Sequence, residues 1–243
     1  MDAPREAEAT LFLCIPDDAI PAVASDLHGD LPPETALVHC SGATPALCFG
    51  ERPTGVLWPI QSITAEVAPD WRQLPLVVQG SSAAFAKTLH TLATRLSGLP
   101  PTAVDDDGRR LALHLGACLT QNLGNLLWTL TDELLSDVGL DYRALLPLAR
   151  NHLDKLAAHP PHLLQTGPAA RGDDATLRRH LEALLPHPDA HEAYARLSAL
   201  IERRGSRPEV RRARVSPSES GSTDPGRPYS REDPRPHAHP RPR

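Results

Sequence analysis

A stripe of polar, mostly uncharged side chains is the feature of this sequence that most suggests chemistry. At about 100° per residue, one face of a helix predicted over residues 108–138 carries an imidazole, a thiol, amides and a carboxylate, namely His114, Cys118, Gln121, Asn125 and Asp132, with Asn122 at its edge. Leucines occupy the opposite face. No Lys, Arg, Asp or Glu lies between Arg110 and Asp132, which is unusual for a helix face in water. We therefore favour a stripe facing a cleft or a partner subunit over a solvated face.

Short polar segments follow three apolar runs, at residues 14–17, 39–42 and 58–62. Ligands of open α/β sheets bind outside the carboxyl ends of the strands. Small residues there let a ligand approach the backbone amides, and Ser41, Gln61 and Ser62 can donate hydrogen bonds. Ordinary turn chemistry explains the same Pro, Gly, Ser and Asp residues, so both interpretations stay open at this point.

The segment QTGPAARGD, residues 165–173, joins helix-start chemistry to one guanidinium. As a structural connector, it would pair Arg171 with Asp173 or Asp174, and Gly-Pro with Asp at a helix start already explains most of the segment. The alternative is a bidentate contact of Arg171 with a ligand carboxylate or phosphate. From the residues alone we favour the structural interpretation.

Metal and thiol chemistry find little support. His187 and His191 are four residues apart, but Pro188 lies between them at a predicted helix start and no third ligand is near. His39 next to Cys40 is better explained as a core position than as a zinc site or a thiol catalyst. The four cysteines form no CxxC pair and the first ten residues do not resemble a secretory leader. We predict a cytoplasmic protein with free thiols and no metal.

The elements that position these residues change in character near residue 104. Apolar runs at 10–16, 36–42, 55–60 and 74–80 predict buried strands, and Ser81 or Ser82 begins a helical pattern that stops at Gly98. This alternation predicts an open, largely parallel α/β sheet. Residues 105–204 show only helical patterns. The predicted fold class is therefore α/β followed by all-α.

Charge is unevenly divided along the 243 residues. Residues 203–243 carry 11 Arg against 5 acids, whereas residues 1–202 carry 14 bases against 25 acids. The globular part of the chain therefore has a net charge of −11 and repels polyphosphate, so we predict no nucleic-acid partner. Residues 111–131 lack formal charge, yet His114 and three amides near their middle argue against a membrane span.

The predicted organisation has four parts. Residues 1–9 form a disordered start, 10–104 a partial sheet domain, and 105–204 a helical domain. Residues 205–243 contain eight prolines and almost no large apolar side chain. Such a segment cannot bury enough surface to offset its ordering entropy, so we predict a disordered basic tail.

Six segments together carry a family resemblance. They are LFLCIPDDAIPAVASDL, LVHCSGATP, GVLWPIQSIT, LPLVVQG, HLGACLTQNLGNLLWTLTDELL and QTGPAARGD. In this order they resemble a bacterial family with a Rossmann-like NAD(P) domain followed by the helical domain of unknown function 2520. That family is similar to pyrroline-5-carboxylate reductase and to β-hydroxyacid-dehydrogenase-type proteins. The likeness covers about residues 10–202.

The resemblance implies an NAD(P)-linked oxidoreductase, a cofactor of NAD or NADP, and a homodimer formed through the C-terminal helices. Pro16, Asp17, Ser41, Gly42 and Gln61 would bind the cofactor. A second group of residues would face a small-molecule substrate, namely His114, Asn122, Asn125 and Arg171. Gln121 lies beside them, at a position where the family commonly has asparagine.

One departure from the family bears on cofactor binding. No GxGxxG motif occurs in the sequence, although such proteins normally begin with a strand, a glycine-rich turn and a helix. We expect an N-terminally truncated member of the family that binds NAD(P)H weakly. Either the start codon was assigned too far downstream, or a genuine fragment is expressed. The alternative is a non-catalytic helical dimerisation or small-ligand-binding module.

Overall fold

The computed structural model of the chain describes residues 9–63 and 67–205. By its contacts the chain divides into two compact units, Met1–Ala144 and Leu145–Arg243. The expectations of a disordered start and a disordered tail concern residues 1–9 and 205–243, and nearly all of these lie outside the described residues. The predicted boundary near residue 104 stays a prediction, and it coincides with the end of the last strand.

The described residues of the first unit form a five-stranded sheet in the order β1-β2-β3-β4-β5. The strands are β1 Ala9–Leu13, β2 Thr35–His39, β3 Thr54–Pro59, β4 Leu76–Gly80 and β5 Thr102–Ala103. All neighbours pair in parallel except β3 and β4, which are antiparallel. The predicted fold class, a mostly parallel α/β sheet followed by helices, is confirmed.

The antiparallel pair and β5 are the two departures from the predicted sheet. Among the described residues between Pro59 and Leu76 there is no helix, and no helical crossover carries the chain back to the start of a parallel strand. The chain therefore turns back, so that Pro59 pairs with Leu76 and Gly55 with Gly80. β5 is only two residues long, too short to leave a hydrophobic pattern.

Helices cover both faces of this sheet, because side chains of a strand alternate between faces. On one face, α2 (Ala83–Ser97) packs Phe85 and Leu89 against buried side chains that include Val38, Leu57 and Val78. Ser82 caps α2 by accepting from the Phe85 N–H at 3.2 Å, and Gly98 ends it in the left-handed conformation. Both predicted ends of this helix are confirmed.

On the other face lie α1 (Ile20–Asp30) and α3 (Asp107–Ala117). Ile20 of α1 packs with Leu13 of β1. Leu113 and Ala117 of α3 pack against Val56 and Trp58 of β3. The two helices thereby flank the loop that follows β2, on the face where His39 is buried.

The predicted helix over 108–138 is interrupted. It consists of α3, one π turn at Cys118–Asn122, and α4 (Leu123–Ser136). A π turn closes i→i+5 hydrogen bonds and adds a residue to the turn. The angular spacing assumed for the polar stripe therefore does not hold beyond Cys118.

The leucine face of this helix is largely exposed, although Leu130 is buried. Six leucines lie between 42% and 65% exposed: Leu111, Leu115, Leu119, Leu123, Leu126 and Leu127. The residues that meet the sheet are instead Leu113 and Ala117, while His114 and Cys118 on the same side are half-buried.

The second unit is helical. Its helices are α5 Leu146–Ala158, α6 Pro168–Arg171, α7 Asp174–Ala183 and α8 Pro188–Gly205. Pro147 lies in the first turn of α5, after a 3-10 turn at Tyr142–Leu145, where its missing N–H costs no hydrogen bond. No helix of the described residues is long and apolar enough to cross a membrane.

Candidate functional site

The site begins where β1, β2 and β3 end together. These strands are parallel, with Leu13 opposite His39 and His39 opposite Val56, so the segments that follow them emerge at one edge of the sheet. The pairing explains why residues distant in sequence meet there. The predicted residues Pro16, Asp17, Ser41, Gly42 and Gln61 all belong to these segments.

Asp17 and Ser41 are joined directly. The Ser41 hydroxyl donates to Asp17 Oδ2 at 2.7 Å and accepts from the backbone N–H groups of Ala43 and Thr44 at 3.1 and 2.9 Å. Ser41 is buried, whereas Asp17 is exposed. The serine therefore shapes the turn after β2 and orients a solvent-facing carboxylate, and these two amide donors are already engaged.

His39 lies fully buried beneath this turn. Its Nδ1 accepts from the Ser41 N–H at 3.2 Å, and its Nε2 has no hydrogen-bond partner among the described residues. Burial, reinforced by the positive charge of Arg110, lowers the pKa of His39 to about 4. The Pro45 carbonyl and the carboxylates of Asp17 and Asp107 oppose that shift. His39 is thus a neutral core imidazole, as its sequence context predicts.

His114 reaches the same turn from α3. Its ring packs edge-on against Trp58, with centroids 5.4 Å apart at 64°. A Cβ placed on Gly42 would lie 2.6 Å from Trp58 Cε2 and 2.7 Å from His114 Cδ2, so only glycine fits between the two rings. His114 Nε2 also lies 3.9 Å from Cys118 Sγ. The structure therefore brings His114 to the Ser41–Gly42 turn.

Asn122 and Asn125 stand further along the same helix. Asn122 ends the π turn and Asn125 lies in the first turn of α4, and both are exposed, as is Gln121. Single π turns inside α-helices are frequent at functional sites. Here the π turn separates the asparagines from the half-buried His114, a separation that helical spacing alone does not predict.

Pro16 and Gln61 lie at the rim. Pro16 precedes the short 3-10 turn Asp17–Ala19 and is exposed. Gln61 follows β3, donates its backbone N–H to the Pro59 carbonyl at 3.0 Å, and is also exposed. Both side chains are available to a ligand at the edge of the sheet.

Arg110 is a residue of this site that the sequence analysis missed. Its side chain is 1% exposed. Its guanidinium donates to the carbonyls of Gly42 and Thr44 and to Gln79 Oε1, and it pairs with Asp107 Oδ1 at 3.0 Å. The turn after β2 is thereby fastened to β4 and α3.

Asp107 completes the same network. Its carboxylate accepts from the Ala46 N–H at 3.1 Å and from Gln79 Nε2 at 3.1 Å. Burial lowers the pKa of Arg110, and the neighbouring Asp107 opposes that effect. The signal in the sequence was the spacing of Arg110 to Leu113 and Ala117, which puts it on the buried face of α3, whereas Arg109 points outward.

Arg171 belongs to the second unit. It is exposed at the end of the four-residue helix α6, and Gly172 follows in the left-handed conformation. The Asp173 carboxylate caps α7 by accepting from the Thr176 N–H at 3.1 Å. Hydrogen bonds from the Thr176 side chain and, to a smaller extent, from its backbone N–H lower the pKa of Asp173, with a smaller effect of Arg171. Of the two neighbouring aspartates at this helix start, Asp173 is thus the one that caps α7.

Comparison with known proteins identifies relatives of this arrangement. The model of the family called domain of unknown function (DUF2520) matches residues 74–201, just over half of the chain. No curated protein matches it significantly.

Within the described residues no three His, Cys, Asp or Glu side chains are grouped so as to hold a metal ion.

Solved structures similar to the chain include the following three. One from Bacteroides fragilis, described as a "putative NADP oxidoreductase", is 27% identical, with a TM-score of 0.69 over 80% of this chain and 75% of that one. A protein from Thermotoga maritima is 21% identical, with a TM-score of 0.61 over 87% and 82%. An imine reductase from Aspergillus terreus, in complex with NADPH4 and dibenz[c,e]azepine, is 20% identical, with a TM-score of 0.51 over 84% and 74%. The fold is thus of the Rossmann-like oxidoreductase type.

Proposed function

The chain belongs to the DUF2520 family, and on that premise we propose that it is an NAD(P)-linked oxidoreductase acting on a small molecule. The observation that carries the proposal is the meeting of His114 with the Ser41–Gly42 turn at the carboxyl ends of the strands. The similarity to the Bacteroides fragilis structure, described as that of an NADP oxidoreductase, supports it.

The residues fit one end of such a cofactor. Asp17 presents an exposed carboxylate held by Ser41, a good acceptor for a carboxamide N–H of nicotinamide, and Pro16 and Gln61 are exposed beside it. The 243 residues contain no glycine-rich turn for the pyrophosphate. We therefore propose that they hold the nicotinamide side of the cofactor site.

The chain's own contribution is to position the reacting groups. Nicotinamide, when bound, supplies or accepts the hydride. Trp58 and Gly42 fix the ring of His114, so that its nitrogens can donate a hydrogen bond to a substrate. Asn122 and Asn125 offer amides further along the helix. In the second unit, Arg171 offers an exposed guanidinium for an anionic group. These roles rest on the family resemblance.

We further propose that the chain forms a homodimer through the leucine face of α3 and α4. Six exposed leucines without an intervening charge make an apolar surface that monomers rarely carry. A second copy of the same uncharged face is a matched partner. A non-catalytic dimerisation module shares this surface, so the cofactor experiment must separate the two functions.

That experiment is a titration of the isotopically labelled full chain with NADPH, followed by NMR chemical shifts. We expect shifts at Asp17, Ser41, Gly42 and His114 that saturate well above micromolar NADPH, because the pyrophosphate anchor is absent. An NADPH analogue that keeps the 2′-phosphate but lacks nicotinamide should leave the chemical shifts of these four residues unchanged. If millimolar NADPH shifts no signals, or only signals of other residues, the chain is a non-catalytic dimerisation module and not a cofactor-binding protein.

A second arm tests the reaction. β1 lies at the edge of the described sheet, so a glycine-rich β-α-β unit fused ahead of Ala9 can pair with it. We expect this fusion to bind NADPH at micromolar concentration and to oxidise it in the presence of a member of a ketone and imine panel. Tight binding without turnover on the whole panel would contradict the oxidoreductase function.

A further inference from the structure

Two cysteines face each other at the ends of neighbouring strands. Since Leu13 of β1 pairs with His39 of β2, the next residues, Cys14 and Cys40, continue that alignment. Their sulfur atoms lie 3.6 Å apart. Cys14 is exposed and Cys40 is half-buried.

This geometry is close to that of a disulfide. Neighbouring strands are about 4.8 Å apart, within the range of Cα separations that a disulfide bridges. The sulfurs need to approach by about 1.5 Å to reach the bond length of about 2.05 Å, a distance that small side-chain rotations cover. The backbone pairing of β1 and β2 can stay in place.

We propose that Cys14 and Cys40 form a peroxide-sensitive dithiol centre that closes into a reversible disulfide. The Cys14 thiolate attacks one oxygen of a hydroperoxide, the O–O bond breaks, and Cys14 becomes a sulfenic acid while hydroxide or an alcohol leaves. Cys40 then attacks the Cys14 sulfur, the S–O bond breaks, and water leaves with the Cys40 proton. Two electrons pass from the two sulfurs to the peroxide.

The surroundings assign the order of these steps. Cys14 is the exposed thiol, and a peroxide must reach the attacking sulfur. Burial, together with the nearby Cys14, raises the pKa of Cys40 to about 12, so Cys40 stays protonated while Cys14 reacts. Once Cys14 is an uncharged sulfenic acid, its repulsion of a Cys40 thiolate ends and only burial still disfavours the second step.

The centre adjoins the candidate cofactor site but does not depend on the proposed function. Cys40 immediately precedes Ser41, and Cys14 lies three residues before Asp17. A disulfide would therefore tie together the two segments that the Ser41–Asp17 hydrogen bond already joins. Its formation can be measured without any cofactor or substrate.

The test uses the full chain with Cys48→Ala and Cys118→Ala, which leaves Cys14 and Cys40 as its only thiols. After one equivalent of hydrogen peroxide, we expect loss of both free thiols, a mass lower by two hydrogens, and a cross-linked peptide pair on non-reducing digestion. Dithiothreitol should restore both thiols. The matched control, Cys14→Ala with Cys40→Ala, keeps the other two cysteines and should form no intramolecular disulfide.

A second measurement shows whether the fold creates the centre. In buffers of oxidised and reduced dithiothreitol, the equilibrium constant for closing the disulfide should be at least about tenfold larger in the folded variant than in urea, because the fold holds the thiols together. Equal constants would overturn the proposal. So would oxygen addition at Cys14 without a cross-link, or disulfides only between two copies.

Discussion

Gly42 and His114 are in contact across the turn that follows β2: a Cβ atom on Gly42 would stand 2.7 Å from His114 Cδ2. His114 can thus reach the strand ends only because residue 42 is a glycine. Because Trp58 lies equally close to that position, the two rings together leave no room for a side chain at residue 42.

We therefore expect Gly42→Ala to lower the free energy of unfolding by about 1–3 kcal/mol, the usual cost of overpacking, and to move the His114 imidazole resonances. Gly116→Ala is the matched control, because nothing lies within 4 Å of a Cβ there and alanine is the better helix former. Chemical denaturation and NMR measure both. A Gly42→Ala variant as stable as the parent would mean that the turn relaxes freely.

Arg110 should be the most costly side chain of α3 to remove. Arg110→Met leaves Gln79 Oε1 and the carbonyls of Gly42 and Thr44 without their shared donor, and a buried acceptor left unsatisfied costs about 1–3 kcal/mol. The lost ion pair adds less, because the Asp107 side chain is 46% exposed. Arg109→Met is the neighbouring control, since its ion pair with Asp105 is solvent-exposed and such pairs add little. Equal midpoints of denaturation for the two variants would contradict the clamp.

The sheet was predictable because its strands are buried apolar runs. The ends of α2 were predictable because Ser82 and Gly98 satisfy the terminal amides and carbonyls with local chemistry. The direction of β4 was not, since an apolar run has the same composition in either orientation. It depends instead on the path of the connecting segment, and β2 and β3 are parallel although no helix lies between them.

The site was predictable in part for the same reasons. The edge where β1 to β3 end follows from their parallel pairing, and His114 was selected by the absence of charge around it. The π turn at Cys118–Asn122 was not, because it leaves no pattern in residue type. Which helix face meets the sheet was not predictable from the leucine pattern, since the contact is made by Leu113 and the small Ala117.

His39 should make the fold sensitive to mild acid. Its pKa is about 4 in the folded chain, against about 6.5 when unfolded, so the unfolded chain binds more protons between these values. The free energy of unfolding is unaffected above pH 6.5 and falls by at most about 3 kcal/mol as the pH drops to 4. His39→Gln, which can still accept from the Ser41 N–H, should flatten that slope in denaturation series. A native His39 that titrates near pH 6.5 by NMR would refute the assignment.

His114 is expected to matter more for chemistry than for stability. In the fusion that carries a glycine-rich unit, His114→Ala should abolish NADPH oxidation while the melting temperature changes little, because the ring is half-buried and α3 keeps its contacts with the sheet through Leu113 and Ala117. His90→Ala on α2 is the control, since His90 is exposed over the opposite face of the sheet. If His114→Ala unfolds the chain, the ring has a structural role and the substrate-side assignment fails.

The leucine face provides the last prediction. We expect the full chain to sediment as a dimer at tens of micromolar, since burying Leu119 and Leu123 removes apolar surface from water. Leu119→Glu with Leu123→Glu would place four carboxylates within the apolar contact. That change should weaken the dimer by at least about a hundredfold, or about 2.7 kcal/mol.

The control is Leu185→Glu, at a leucine of the second unit that is 70% exposed and lies outside the proposed interface, and it should sediment as the parent does. Sedimentation equilibrium of the three chains decides the matter. A parent chain that is monomeric at tens of micromolar would exclude the homodimer. A dimer that both Glu variants leave intact would place its interface on another surface.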